Sequence, residues 1–204
     1  TFLPLAHAYG CAFDMLTPLA AGSHITVLGR TPSPAVLLKA LSEVRPHLIL
    51  SVPLVFEKIY RKRIEPVIST PRMQQMLQTP VLKNIVKRKL RQKLVKTFGG
   101  SFRQVVIGGA ALDAATEAFL RMINFPFTVG YGMTECGPLV SYTPWKEFIP
   151  SSAGRTLPEI MESRVDSPDP ESIPGEILVR GQNVMAGYYN APELTAQVID
   201  KDGW

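Results

Sequence analysis

Two apolar runs that stop on glycine, "QVVIGG" at 104–109 and "PFTVGYG" at 126–132, limit what this chain can fold into more than any other feature. Each is too short for a helix and is built on Val, Ile, Phe and Thr, the pattern of a strand bounded by turn residues. Between them lies "AATEAFLRMI" (114–123), whose apolar spacing is helical and which Asp113 is placed to cap. A strand, a helix and a second strand joined by short loops form the repeating unit of a parallel sheet. The same alternation runs upstream. "HITVL" (24–28) and "HLILSV" (47–52) read as strands, the second apolar enough to be buried on both faces. Residues 11–21 read as a helix ending at Gly22. "PAVLLKALSEV" (34–44) reads as a helix with Ser33 as N-cap and Pro34 in its first turn, and Pro53 opens another in "PLVFEKIYRKRI". The expected fold class is α/β, a parallel sheet flanked by helices. After Pro144 the prolines cluster, and "GEILVRG" (175–181) alternates as a half-exposed strand between glycines. The expected organisation is an α/β subdomain over 1–148 and the start of a β-rich subdomain over 149–204.

Composition removes several classes of function. Apolar residues make up 46% of the chain and charged residues 19%, which suits a packed core. No apolar run approaches the ~20 residues that cross a bilayer. The opening "TFLPLAHAYG" lacks the basic region of a signal peptide, and neither end looks like a natural terminus, so a piece of a longer protein is expected. Cys11 and Cys136 are far apart and form no C-x-x-C, which argues against a disulfide framework or a zinc site and fits a cytoplasmic location. The net charge of +5 is unevenly spread: residues 83–103 hold eight Lys/Arg and no acid, whereas 157–176 lean acidic. That asymmetry points to local roles, and no nucleic-acid partner is expected.

In an open parallel sheet, ligands collect beyond the carboxyl ends of the strands. Both glycine-ended runs have that shape, and glycine lets a flat ligand or a phosphate approach the backbone. "GYGMTECGP" (130–138) adds a ring, a hydroxyl and a carboxylate. Tyr131 is suited to stacking on a planar base. Thr134 is suited to bonding a phosphate oxygen, and Glu135 to holding a Mg²⁺ on that phosphate, because hard cations take carboxylate oxygen. The same residues also fit a β-turn with a capping Thr and a solvated Glu, and the residue types alone leave both readings open.

"GYGMTECGP" resembles the core motif of the acyl-adenylate-forming enzymes, the AMP-dependent synthetase and ligase family. Four further segments resemble that family's in the same order: "LPLAHAYG" (3–10), "VVIGGAAL" (105–112), "GEILVRGQNVMAGYYNAPELTAQVI" (175–199) and "DKDGW" (200–204). The resemblance implies an enzyme that uses ATP and Mg²⁺ to turn a carboxylic acid into an acyl-adenylate, which a thiol, usually that of coenzyme A, then attacks. It implies that Tyr131 lies against adenine with Gly132 and Met133 beside it, that Thr134 contacts the α-phosphate, and that Glu135 ligates Mg²⁺. It implies that Gly108, Gly109 and Ala110 line the adenine and acyl pocket, and that His7 sits near the acyl carboxylate. Where Gly108 stands the family often has Ser or Gly, a mild difference. His24 and His47 match no motif and read as structural, and Cys136, with no base paired to it, reads as a small packing residue. The family's phosphate loop, its ribose-binding Asp and its small domain with the adenylation Lys match nothing in the 204 residues, so the chain alone is expected to be inactive.

The acid is suggested by "SVPLVFEKIYRKR" (51–63), which resembles a segment of the long-chain fatty acid–CoA ligases, and by the long insertion over 64–103. Within it Leu82, Ile85, Val86, Leu90 and Leu94 form a helical stripe, with Lys83, Lys87, Arg88, Arg91 and Lys93 mostly on the remaining surface. Such a helix either packs on the domain with a solvated basic face or lies peripherally on an anionic membrane, so membrane contact through 80–103 stands as one expectation. The leading reading is a long-chain fatty acid–CoA ligase. The alternatives are another acid-adenylating enzyme, for an aromatic acid or for loading a carrier protein, and a non-catalytic module that binds nucleotide or a membrane surface.

Overall fold

The computed structural model describes residues 1–30 and 32–204. Three parallel strands, β1 (Leu48–Ser51), β2 (Gln104–Ile107) and β3 (Phe127–Val129), form a sheet in that order. Leu50 pairs with Val106 and Val106 with Thr128, so residues in one register share a face. Because side chains alternate along a strand, Ile49, Val105, Ile107, Phe127 and Val129 all point to one side, where each is buried in the main core. Leu48, Leu50, Gln104 and Val106 point to the other side, which is the wall of a cavity. The expectation that 47–52 is buried on both faces therefore holds at Leu50 but not at Leu48, which is 53% exposed.

Of the helices α1 (Pro34–Val44), α2 (Pro53–Ile59), α3 (Pro71–Gln78), α4 (Pro80–Thr97) and α5 (Ala114–Met122), taken in chain order, all but α3 place residues in the core on the buried face, and α3 packs against α4. Their boundaries follow local chemistry. Ser33 Oγ accepts from the Val36 N–H and Asp113 Oδ2 from the Thr116 N–H, so both expected N-caps are made. Pro34, Pro53, Pro71 and Pro80 each open a helix, where the missing N–H leaves no bond unmade. Phe56 stacks on Phe98 at 5.0 Å between centroids, with Phe102 edgewise to Phe98 and Phe125 edgewise to Phe56. This cluster ties α2 and the end of α4 to the sheet.

Two elements differ from expectation. Residues 24–28 form no strand: Leu28 N–H donates to Thr1 O at 3.0 Å and the Thr1 amino group to Thr26 O, and no ladder runs alongside. The expected stripe on α4 splits. Val86 and Leu94 are buried and Leu90 packs against the core, whereas Leu82 and Ile85 remain 38% and 39% exposed. The helix turns 100° per residue, so Leu82 and Ile85 fall beside Lys89, on the side away from Leu94.

The chain leaves β3 directly into an antiparallel sheet, β4 (Tyr131–Gly132), β5 (Leu139–Tyr142) and β6 (Arg155–Thr156). A hairpin of β7 (Met161–Asp166) and β8 (Glu176–Gly181) follows, then α6 (Pro192–Val198).

Candidate functional site

A cavity of about 550 Å³ opens at the carboxyl ends of β1, β2 and β3. Beyond β2 the ladder continues through the Gly108 N–H to Ser51 O at 3.0 Å, and beyond β3 through the Gly130 N–H to Ile107 O at 3.0 Å. At Gly108 a Cβ would stand 3.3 Å from the ring of Tyr9 and 3.5 Å from Gly130 O, so a side chain there would crowd the cavity. Of the residues singled out from sequence, Gly108, Gly109, Tyr131, Gly132, Met133, Thr134, Glu135 and His7 all border this one space. Ala110 does not. Gly109 takes φ +87° and turns the chain away, so Ala110 is exposed on the path to α5.

The turn carrying Thr134 and Glu135 is built by its neighbours. Thr134–Cys136 is a single 3₁₀ turn, closed by the Cys136 N–H to Met133 O and ended by Gly137 in the left-handed region at φ +66°. Met133 N–H donates to Pro138 O at 2.8 Å, and a Cβ on Gly132 would collide with that same carbonyl. The turn thus folds back on β4 only because residue 132 has no side chain. Its side chains divide by direction. Cys136 is 1% exposed among Val140 and Met161, and burial, then the Glu135 charge, pushes its thiol up, which suits packing and not attack. Thr134 and Glu135 face the cavity instead.

Glu135 is held ionised. Its own backbone N–H and then the Tyr188 hydroxyl, which donates to Oε1 at 2.8 Å, hold the carboxyl below its ordinary value. The segment after β8 grips the turn at further points. Met185 N–H donates to Glu135 O at 2.7 Å, and Asn183 Nδ2 donates to Cys136 O at 2.6 Å and Leu139 O at 2.8 Å. No group of three or more His, Cys, Asp or Glu is positioned for a metal among the described residues. A single carboxylate beside a hydroxyl suits Mg²⁺, which is commonly held by one or two carboxylates together with substrate phosphates.

His7 is exposed at the start of a helical stretch, a π-helical run Gly10–Leu16 continuing into Thr17–Ala20, and its Nδ1 accepts from the Tyr9 N–H at 3.1 Å. This fixes the ring by its Nδ1 edge at the cavity rim. Sequence reasoning passed over the apolar half of the cavity, formed by Tyr9, Phe13, Leu48, Leu50, Val106 and Leu139. Tyr9 Oη donates to Val106 O at 3.2 Å, and burial above all, with the Asp14 charge, pushes the phenol far up, so it stays a neutral donor. The spacing of Tyr9, Phe13 and Thr17, four residues apart, was the available signal: it puts all three on one side of that helical stretch.

The chain belongs to the AMP-binding enzyme family, whose sequence profile matches residues 1–189. Within it, similar curated proteins are acid–CoA ligases of two substrate types. Long-chain-fatty-acid–CoA ligase 2 of Schizosaccharomyces pombe is 31% identical over all of this chain and 33% of its own length. 4-Coumarate–CoA ligase 5 of Oryza sativa subsp. japonica is 30% identical over 99% of the chain and 34% of its own length. The chain therefore spans about a third of the curated relatives it matches. Among solved structures, a malonyl-CoA ligase in a ternary product complex with methylmalonyl-CoA and AMP superposes with a TM-score of 0.68 at 25% identity, over 98% of this chain and 38% of that one. ATP-bound MatB from Rhodopseudomonas palustris gives 0.66 at 25% identity, over 98% and 35%. The α/β class read from the sequence, a parallel sheet flanked by helices, is the class observed.

Proposed function

We propose that the whole protein joins a carboxylic acid to AMP at this cavity and passes the acyl group to coenzyme A. The observation that carries the reading is a shared space: Tyr131, Thr134, Glu135 and the Gly108–Gly109 backbone border the same cavity as Phe13, Leu50 and Val106. One half offers a flat face, a hydroxyl and a carboxylate. The other offers an apolar wall for the tail of an acid.

In the first step a substrate carboxylate oxygen attacks the α-phosphorus of ATP, the bond to the bridging oxygen breaks, and pyrophosphate leaves. In the second, the thiol of coenzyme A gives up its proton to solvent as its sulfur bonds the acyl carbon, the bond to the phosphate oxygen breaks, and AMP leaves. Two anions meet in the first step, so charge at the α-phosphate must be offset. Mg²⁺ held by Glu135 would draw off that charge. Thr134 Oγ1 donates to the α-phosphate, Tyr131 lies against the base, and His7 faces the acyl carboxylate at the rim.

For the acid we favour a long-chain fatty acid. Phe13, Leu48, Leu50, Val106 and Leu139 give the wall no charged group, and the fission-yeast relative is named for such a substrate. The reading is tested by ATP–pyrophosphate exchange in the whole protein with fatty acids of increasing length against 4-coumarate. Exchange rising with chain length supports it; exchange with 4-coumarate alone would replace the fatty acid by an aromatic one.

We further propose that α4 meets an anionic membrane surface. Val81, Leu82 and Ile85 are exposed at its start, and Lys89, Lys93 and Lys96 continue the same outward side. Apolar residues at the headgroup boundary with lysines flanking them are the elements of an interfacial helix. Among the described residues no helix is long and apolar enough to cross a membrane. The two free cysteines fit a reducing, cytoplasmic compartment.

A further inference from the structure

We propose that Tyr188 is a positioning residue that sets the Glu135 carboxylate for its cation; this rests on the reading of Glu135 as the Mg²⁺ ligand of the adenylation site. The two side chains are 53 residues apart in sequence, and Tyr188 Oη donates to Glu135 Oε1 at 2.8 Å. No second side chain bonds this carboxylate among the described residues. The Glu135 main chain is held by the same segment, through the Met185 N–H at 2.7 Å. The residue is therefore fixed at both ends by one short stretch of chain, backbone at one end and carboxylate at the other.

Tyr188 is itself fixed from behind. Its N–H donates to Thr195 Oγ1 at 2.9 Å, and Thr195 Oγ1 donates to Ala191 O at 3.0 Å, which anchors the segment to the start of α6. Gly187, at φ +144°, makes that anchor reachable, because a Cβ there would stand 2.9 Å from both Cγ2 and Oγ1 of Thr195. An exposed glutamate otherwise samples several rotamers. A phenol donating to one oxygen selects one of them and leaves the second oxygen to face a cation. Partners that orient a metal ligand in this way change metal affinity by about 10- to 100-fold when removed. Because Tyr188 is 37% exposed, the lower end applies. The next residue supplies a control, since Tyr189 is the same residue type and 93% exposed.

The experiment measures ATP binding by the whole protein, without acid or coenzyme A, once with Mg²⁺ and once in EDTA. The ratio of the two affinities isolates the contribution of the metal. Tyr188→Phe keeps the ring and removes the hydroxyl. The expected result is a ratio lowered about tenfold, with affinity in EDTA unchanged, Tyr189→Phe without effect, and no further loss when Tyr188→Phe is added to Glu135→Gln. If Tyr188→Phe weakens binding equally with and without metal, the tyrosine merely supports the loop and the proposal is overturned. If Glu135→Gln lowers the ratio and Tyr188→Phe does not, the positioning role fails while the Mg²⁺ reading stands. If Glu135→Gln leaves the ratio unchanged, both fail.

Discussion

Removing the Asn183 side chain should loosen the Thr134–Glu135 turn, although Asn183 itself does not border the cavity. Asn183 Nδ2 donates both its protons, to Cys136 O at 2.6 Å and Leu139 O at 2.8 Å, and so bridges the turn to β5. The two carbonyls fix the orientation of the amide, since turned over it would aim oxygen at both; its Oδ1 is buried without a partner among the described residues. Asn183→Ala deletes two hydrogen bonds, each contributing about 1 kcal/mol net. The sum, about 2 kcal/mol, corresponds to a local opening equilibrium roughly 30-fold more favourable. Hydrogen exchange reads this directly, because the N–H groups of Met133, Cys136 and Met185 each bond within or onto the turn. These three should exchange roughly 30-fold faster, while the amides of Val105 and Ile107 in β2 keep their rates. Asn183→Asp should be worse than Ala, since it sets a carboxylate against two carbonyl oxygens. Turn amides exchanging within about threefold of wild type in Asn183→Ala would refute the bridging role.

Three further outcomes follow from the same geometry. Phe13→Trp narrows the apolar half of the cavity, so the acid preferred in ATP–pyrophosphate exchange should shift to a shorter one; an unchanged length profile would remove Phe13 from the acyl wall. Asp113→Ala removes the cap of α5 and should cost about 1 kcal/mol in denaturant titration of the whole protein. The bonds from Thr116 above all hold the Asp113 carboxyl below its ordinary value, so its contribution is present above the ordinary carboxylate range and fades as pH falls through the lowered value; the gap between wild type and Asp113→Ala should close in acid. For the membrane contact proposed for α4, Val81→Glu with Ile85→Glu should abolish co-sedimentation with anionic vesicles, and Lys89→Glu with Lys93→Glu should weaken it most at low salt; equal binding to neutral vesicles would argue against the basic face.

Much of the fold was legible because it is written in short-range signals. Ser33 and Asp113 announce helices through a bond to an N–H three residues on, and glycine after an apolar run marks where β2 and β3 end. "HITVL" carries the same kind of signal and forms no strand, because a strand exists only with a neighbour to complete its ladder. On α4 the period gave a helix, but which of two overlapping stripes turns inward depends on what lies opposite. The sheet and the phenylalanines around Phe98 take Leu94 and leave Ile85 outside.

The cavity divides in the same way. Tyr131, Thr134 and Glu135 sit within five consecutive residues, so a reader of the sequence meets them together. The residues that make the turn rigid do not. Asn183 and Tyr188 reach it across 47 and 53 positions, and nothing local in "GQNVMAGYY" says what its amide or its phenol will touch. A turn of three residues closed by two 3₁₀ bonds, Cys136 N–H to Met133 O and Gly137 N–H to Thr134 O, has little stability of its own. The carboxylate at its centre can hold a fixed place only if something distant holds the turn. The segment after β8 does so with four hydrogen bonds, two from Asn183, one from Met185 and one from Tyr188. The chemistry of this site can thus be read from one stretch of sequence, whereas its geometry belongs to two.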